Sequence, residues 1–168
     1  MKAYPLRRLL SLREHRVELA QAEVPRRRRL LEEAVASAEE AESRAREFAQ
    51  KRPREEAALF ARIKGQVLER KRLDRYHEEI AALAARELEL FDIAEQERAR
   101  AREAEKELEA AVAAHQEAMR EVRKFEEHRA IWWQAEKKRL EELQEQEAEE
   151  VAGITAMRRK EQVNGPLQ

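Results

Sequence analysis

The sequence predicts an all-α fold, a long antiparallel two-helix coiled-coil hairpin with a short helix or hinge at its tip, and three observations carry that expectation. Ala, Glu, Leu, Lys and Arg make up 116 of the 168 residues, well above the roughly 50% at which such a composition points to long helices. Only three Gly interrupt the chain, too few for the turns of a sheet protein. Apolar residues recur at alternating three- and four-residue steps over most of the length, which lays a stripe along one side of a helix.

The first helix is expected over about residues 5–51. Its seam runs Ala3, Leu6, Leu10, Arg13, Val17, Ala20, Val24, Arg27, Leu31, Ala34, Ala38, Ala41, Ala45, Phe48, with 12 of 14 positions apolar where the chain's 42% would give about six. Pro25 lies inside it. A proline there removes the bond to the Gln21 carbonyl and clashes with it, so a kink or short break is expected near residue 25.

A hinge follows at about residues 52–70. Pro53 with Glu55 and Glu56 behind it reads as a helix's first turn, where no N–H is missed and acids oppose the dipole. A short helix from about Pro53 to Ile63, ended by Gly65, is the expectation. The second helix spans about residues 71–158. Its seam runs Leu73, Tyr76, Ile80, Leu83, Glu87, Leu90, Ala94, Glu97, Ala101, Ala104, Leu108, Ala111, His115, Ala118, Val122, Phe125, Arg129, Trp132, and 14 of these 18 are apolar against about eight expected. After Trp132 the register moves by one, through Leu140, Leu143, Ile154 and Met157, as a stutter would. Residues 159–168, with Asn164-Gly165-Pro166, are expected to fray.

The Ala-rich seams should pair with each other across the hinge. Placing Phe48 opposite Leu73 to Tyr76 puts Leu6 opposite about residue 117. The last 35 to 40 residues of the second helix, from about Val122 through Phe125, Trp132, Leu140 and Leu143, would then lack a partner within the chain, a contact surface for self-association or another protein. Trp132 lies in register while Trp133 points about 100° away, so at least one ring should be exposed unless something covers it.

Several function classes recede on composition. Val, Ile, Leu and Phe total 34 residues, enough for a thin seam and not a thick interior. There is no Cys, hence no disulfide or thiolate site, and a reducing cytosol is expected. No uncharged stretch exceeds seven residues, against the roughly 20 a membrane span needs. The first residues have no uninterrupted apolar run and do not read as a cleaved signal peptide.

The four His (His15, His77, His115, His128) form no metal-binding pair, and there is no Gly-rich phosphate loop or nucleophile motif. No enzyme activity, cofactor or metal is expected. Residues 1–30 carry nine basic and three acidic side chains, including the run Arg26 to Arg29. Nucleic-acid binding is one reading; a solvated or partner-facing surface is the preferred one, since no aromatics interleave and total charge is near zero. Residues 51–75 are also basic and residues 136–150 acidic, so partners of opposite character are expected along the chain.

The run Tyr4-Pro5-Leu6-Arg7-Arg8-Leu9-Leu10-Ser11-Leu12-Arg13-Glu14-His15-Arg16 resembles the opening of the YscO family of bacterial type III secretion, related to the flagellar protein FliJ. Arg52-Pro53-Arg54-Glu55-Glu56-Ala57-Ala58-Leu59-Phe60 resembles that family's tip. The resemblance implies a central stalk between the hexameric export ATPase and the export gate, able to stimulate or couple ATP hydrolysis and to bind export chaperones. It would sit in the bacterial cytoplasm, peripheral at the cytoplasmic face of a secretion apparatus, without binding nucleic acid or inserting into the membrane. By the rotor analogy Leu6, Arg7, Arg8, Leu9, Leu10, Arg13 and Arg16, with Trp132 and Trp133, are the candidate ATPase contacts. Phe48, Leu73, Tyr76, His77 and Ile80 are the candidate export-gate contacts. The alternative is a self-associating structural or chaperone-like coiled coil.

Overall fold

The structure, a computed structural model, describes residues 2–163 and 165. It is all-α, an antiparallel hairpin of α1 (Arg7–Ile63, 57 residues) and α2 (Arg70–Val163, 94 residues), with no strand among the described residues. Local chemistry sets the boundaries. A turn at Pro5 leads into α1, where the Arg7 N–H donates to the Tyr4 carbonyl at 3.2 Å. At the other end the Lys64 N–H reaches the Phe60 carbonyl at 3.0 Å, and Gly65 turns the chain out at φ 77°. That left-handed conformation is what a helix C-terminus uses and what glycine adopts without a Cβ clash. The Glu69 carbonyl then accepts from the Arg72 and Leu73 N–H groups at 3.0 and 3.2 Å, opening α2.

Helix bounds differ from the sequence expectation in three places. α1 runs continuously to Ile63 with Pro25 and Pro53 inside it, so there is no short break at residue 25 and the helix does not end near 51. There is no separate tip helix, and the hinge shrinks to residues 64–69. α2 stays helical to Val163, so residues 159–163 do not fray; of the remaining tail, Asn164 and Pro166 lie outside the described residues.

Both prolines are spanned by side chains. Glu23 and Arg27, either side of Pro25, pair at 2.7 Å, and the same Arg27 reaches Glu107 of α2 at 2.5 Å. Arg52, just before Pro53, pairs with Glu56 at 2.7 Å and with Glu87 of α2 at 2.8 Å. Each interrupted turn is therefore bridged by an i,i+4 ion pair whose arginine is also tied to the opposite helix. Both prolines are exposed, so the carbonyls they leave without an N–H partner can be met by water.

The chain forms two compact units. One, residues 20–115, holds the loop and the helix segments beside it. Its pairs Arg27–Glu107, Arg98–Glu42 and Arg52–Glu87 descend in α2 as they ascend in α1, so the segments are antiparallel. Ala38, Ala45, Leu90 and Ala94 are its buried core, Ala45 and Ala94 at 1% and 0% exposure. With such small side chains the helices approach closely, and a larger residue would not fit. The other unit joins the described residues up to Leu19 with those from Gln116 on, again antiparallel, through Tyr4 with His128 and Trp132 and Arg13 with Glu121.

The observed register corrects the expected one. Tyr4 meets His128 and Trp132, where Leu6 had been placed opposite about residue 117. In an antiparallel hairpin every residue added to one helix before the turn moves its partner by one. The dozen residues by which α1 exceeds expectation account for the offset. Val122, Phe125 and Trp132 are thus half-buried rather than unpartnered, and the uniformly exposed stretch is residues 141–163. The predicted seams otherwise hold: from Leu6 to Phe48, and from Tyr76 to Trp132, every seam residue is at least half-buried, while Ala3 and Leu73 are exposed.

Candidate functional site

The first candidate surface lies in the unit containing both termini. Tyr4 is 5% exposed, its hydroxyl 2.7 Å from His128 Nδ1 and its ring edge-on to Trp132 with centroids 5.7 Å apart. Trp133 packs edge-on to Trp132 at 4.8 Å and is half-buried, so neither indole is left fully exposed as the helical geometry had suggested. Leu10 is buried at 3% and Leu6 half-buried. Arg13 holds its guanidinium 5.9 Å over the Phe125 ring and 3.9 Å from Glu121. This is a cation–π contact backed by a weak ion pair.

Glu136 is the buried charge among the described residues of this unit, 7% exposed, and Arg139 donates to it twice, at 3.0 and 2.7 Å. The Arg139 guanidinium, with help from the Lys2 backbone N–H, holds its carboxyl below the usual carboxylate range, and Arg139 is raised in turn. A paired, hydrogen-bonded carboxylate is the form in which burial of a charge is tolerated.

These contacts sort the candidate ATPase residues. Leu6, Leu10, Arg13, Trp132 and Trp133 are engaged within the chain; Arg7, Arg8, Leu9 and Arg16 are exposed, Leu9 at 47%. What faces outward is a basic helix surface with an apolar residue in it. A groove of ≈380 Å³ lined by Lys2, Tyr4, Arg7, Arg129 and Trp133 adjoins it. Tyr4, His128 and Glu136 were not singled out as site residues from the sequence. Glu136 is one four-residue step past Trp132, which marks its position but not its partner.

The second candidate surface, the export-gate set, is in the loop-bearing unit. Tyr76 and Ile80 are half-buried, Leu73 is 40% exposed, and His77 is exposed with its ring 5.7 Å from Tyr76. Phe48 does not join them. It lies one turn from Arg52, which pairs with Glu87, so along the hairpin Phe48 is about 22 Å from Tyr76 at 1.5 Å per residue. The exposed apolar residues nearest the turn are Phe60, near the end of α1 and 51% exposed, and Val67 in the loop, fully exposed. Among the described residues no group of His, Cys, Asp and Glu could hold a metal ion, and no helix is long and apolar enough to cross a membrane.

Comparison with known proteins agrees with this architecture. The family described as type III secretion protein YscO matches residues 6–153. A solved structure described as that of a YscO homolog, CT670, from Chlamydia trachomatis superposes with a TM-score of 0.77 over 96% of this chain and 99% of that one, at 22% sequence identity. Among curated proteins there is no match. A shared fold at that identity, with a family match over most of the length, leaves one assignment: the chain belongs to the YscO family of type III secretion proteins.

Proposed function

We propose that this protein is a stalk or adaptor of type III secretion that links the hexameric export ATPase to the export gate and couples or stimulates ATP hydrolysis for protein export. Its place is the bacterial cytoplasm, at the cytoplasmic face of the apparatus, and export chaperones are further partners. The observation that carries the reading is the division of labour between Tyr4 and the first turns of α1. Tyr4 and Leu10 are consumed by packing on α2, leaving Arg7, Arg8, Leu9 and Arg16 turned to solvent. Hydrolysis belongs to the partner; this chain acts by binding it through a preformed helical surface, so little ordering entropy is lost on contact. The gate contact is assigned to Leu73, Tyr76, His77 and Ile80, with Phe48 at a separate level of the hairpin.

Site-specific photo-crosslinking in the secreting bacterium tests both assignments. A crosslinker at Arg8 or Arg16 captures the ATPase, and one at His77 captures the gate protein; capture of neither contradicts the reading. Self-association is the second reading, favoured by the uncovered helix of residues 141–163 with Val151, Ile154 and Met157 exposed at 63%, 55% and 71%. A strictly monomeric chain at tens of micromolar in sedimentation would count against it.

A further inference from the structure

We propose that the groove between the end of α1 and the start of α2 binds an acidic segment of a protein partner that also carries apolar side chains. Arg62 of α1 and Arg72 and Arg75 of α2 line one cleft of ≈180 Å³, together with the apolar surface of Leu59, Ile63 and Tyr76. Glu79 is the one acid in that lining. None of the three arginines has an ion-pair partner among the described residues, whereas Arg52, further along α1, is held by two carboxylates. From Phe60 to Arg75 there are six cationic side chains against Glu69 and Asp74, so the neighbourhood does not neutralise them.

The cleft does not end there. A second groove of ≈480 Å³ shares Leu59, Arg62 and Glu79 with it and continues over Ala58, Ala82 and Leu83, with Glu55 as its other acid. The two grooves adjoin through these shared residues; the one toward the loop carries three arginines and one acid, and the other carries Ala58, Leu59, Ala82 and Leu83 with Arg62, Glu55 and Glu79. Guanidinium groups match carboxylates as two-point partners, and the apolar length accepts side chains at helical or extended spacing. A free phosphate would use the arginines and leave the apolar length empty; an acidic segment uses both. The site shares only Tyr76 with the gate-contact set and stands whether or not Leu73, His77 and Ile80 touch the gate.

The test is fluorescence anisotropy on the full chain with a labelled amphipathic peptide of Glu and Leu, its Gln-for-Glu counterpart, phosphatidylglycerol vesicles and a single-stranded oligonucleotide. The protein is compared with the triple variant Arg62→Gln, Arg72→Gln, Arg75→Gln. A charge-matched control carries Arg28→Gln, Arg29→Gln and Arg46→Gln, three exposed arginines in the same unit that have no ion-pair partner among the described residues. Circular dichroism confirms that both variants stay helical. The proposal expects the acidic peptide to bind, the Gln peptide to bind far less, and the Arg62/Arg72/Arg75 variant to lose about tenfold or more in affinity while the control keeps its affinity. Equal losses in both variants, no peptide binding, or tighter binding of vesicles or oligonucleotide than of the peptide would overturn it.

Discussion

Replacing Tyr4 by Ala should loosen the terminal unit selectively. The side chain is 5% exposed and touches the rings of His128 and Trp132 at 5.7 Å each. Truncating a buried aromatic costs about 3–5 kcal/mol. Because His128 is exposed and Trp132 only half-buried, the space can partly collapse or fill with water, which favours about 3 kcal/mol. Tyr4→Phe removes only the hydroxyl's bond to His128, whose exposed ring can turn to water, so about 0.5–1 kcal/mol is expected. Both tryptophans, Trp132 and Trp133, lie in this unit, so indole emission during urea unfolding reports it directly. With a slope of about 1–3 kcal/mol per molar, the Ala variant's midpoint should fall by about 1–3 M and the Phe variant's by much less. An Ala variant whose emission transition coincides with that of the unmodified chain would refute the assignment of Tyr4 as the residue that fastens α1 to α2.

Four further outcomes follow from the packing. If Arg27 compensates for Pro25, Arg27→Ala should destabilise more beside Pro25 than in a Pro25→Ala background, with a coupling of about 0.5–1 kcal/mol in a double-mutant cycle read by thermal circular dichroism. Ala94→Leu, at a site with 0% exposure, should cost about 1–3 kcal/mol and lower the melting temperature. Gly65→Val forces a β-branched residue to φ 77° and should destabilise the loop by about 1–2 kcal/mol, although nothing lies near its Cβ. For Glu136 the folded pKa is lowered, chiefly by Arg139. Its contribution is therefore present above the ordinary value of about 4.3 and is lost as pH falls through and below it. Glu136→Gln should weaken the unit at neutral pH and flatten its acid-induced loss of indole emission.

The helical spacing was legible because alanine and leucine seams repeat at three and four residues regardless of what they pack against. What escaped is set by contacts that spacing does not encode. Pro25 reads as a kink or short break and Pro53 as the first turn of a new helix because their local effects are visible, while the Glu23–Arg27 and Arg52–Glu56 bridges and their ties to Glu107 and Glu87 are not. With α1 thereby shortened in the reading, the antiparallel register slipped, and Phe48 was grouped with Tyr76. An alanine-rich seam offers little to correct such a slip, since neighbouring registers look alike. In the candidate site, Leu10 inside and Arg7, Arg8 and Leu9 outside follow from helical position alone. The hydrogen bond between Tyr4 and His128 joins residues 124 apart in sequence, and helical angle alone could not foresee that the Trp133 ring would pack on Trp132.

The stalk reading rests most directly on the exposed face of α1's first turns, and a turnover assay addresses it. Purified type III export ATPase from the same organism is titrated with this protein and with the variant Arg7→Ala, Arg8→Ala, Leu9→Ala, Arg16→Ala, whose helicity and indole emission are first matched to the unmodified chain. The protein should raise hydrolysis or drive hexamer formation, and the folded variant should do neither. A folded variant that stimulates as well as the unmodified chain, or an ATPase indifferent to both, would contradict the stalk reading.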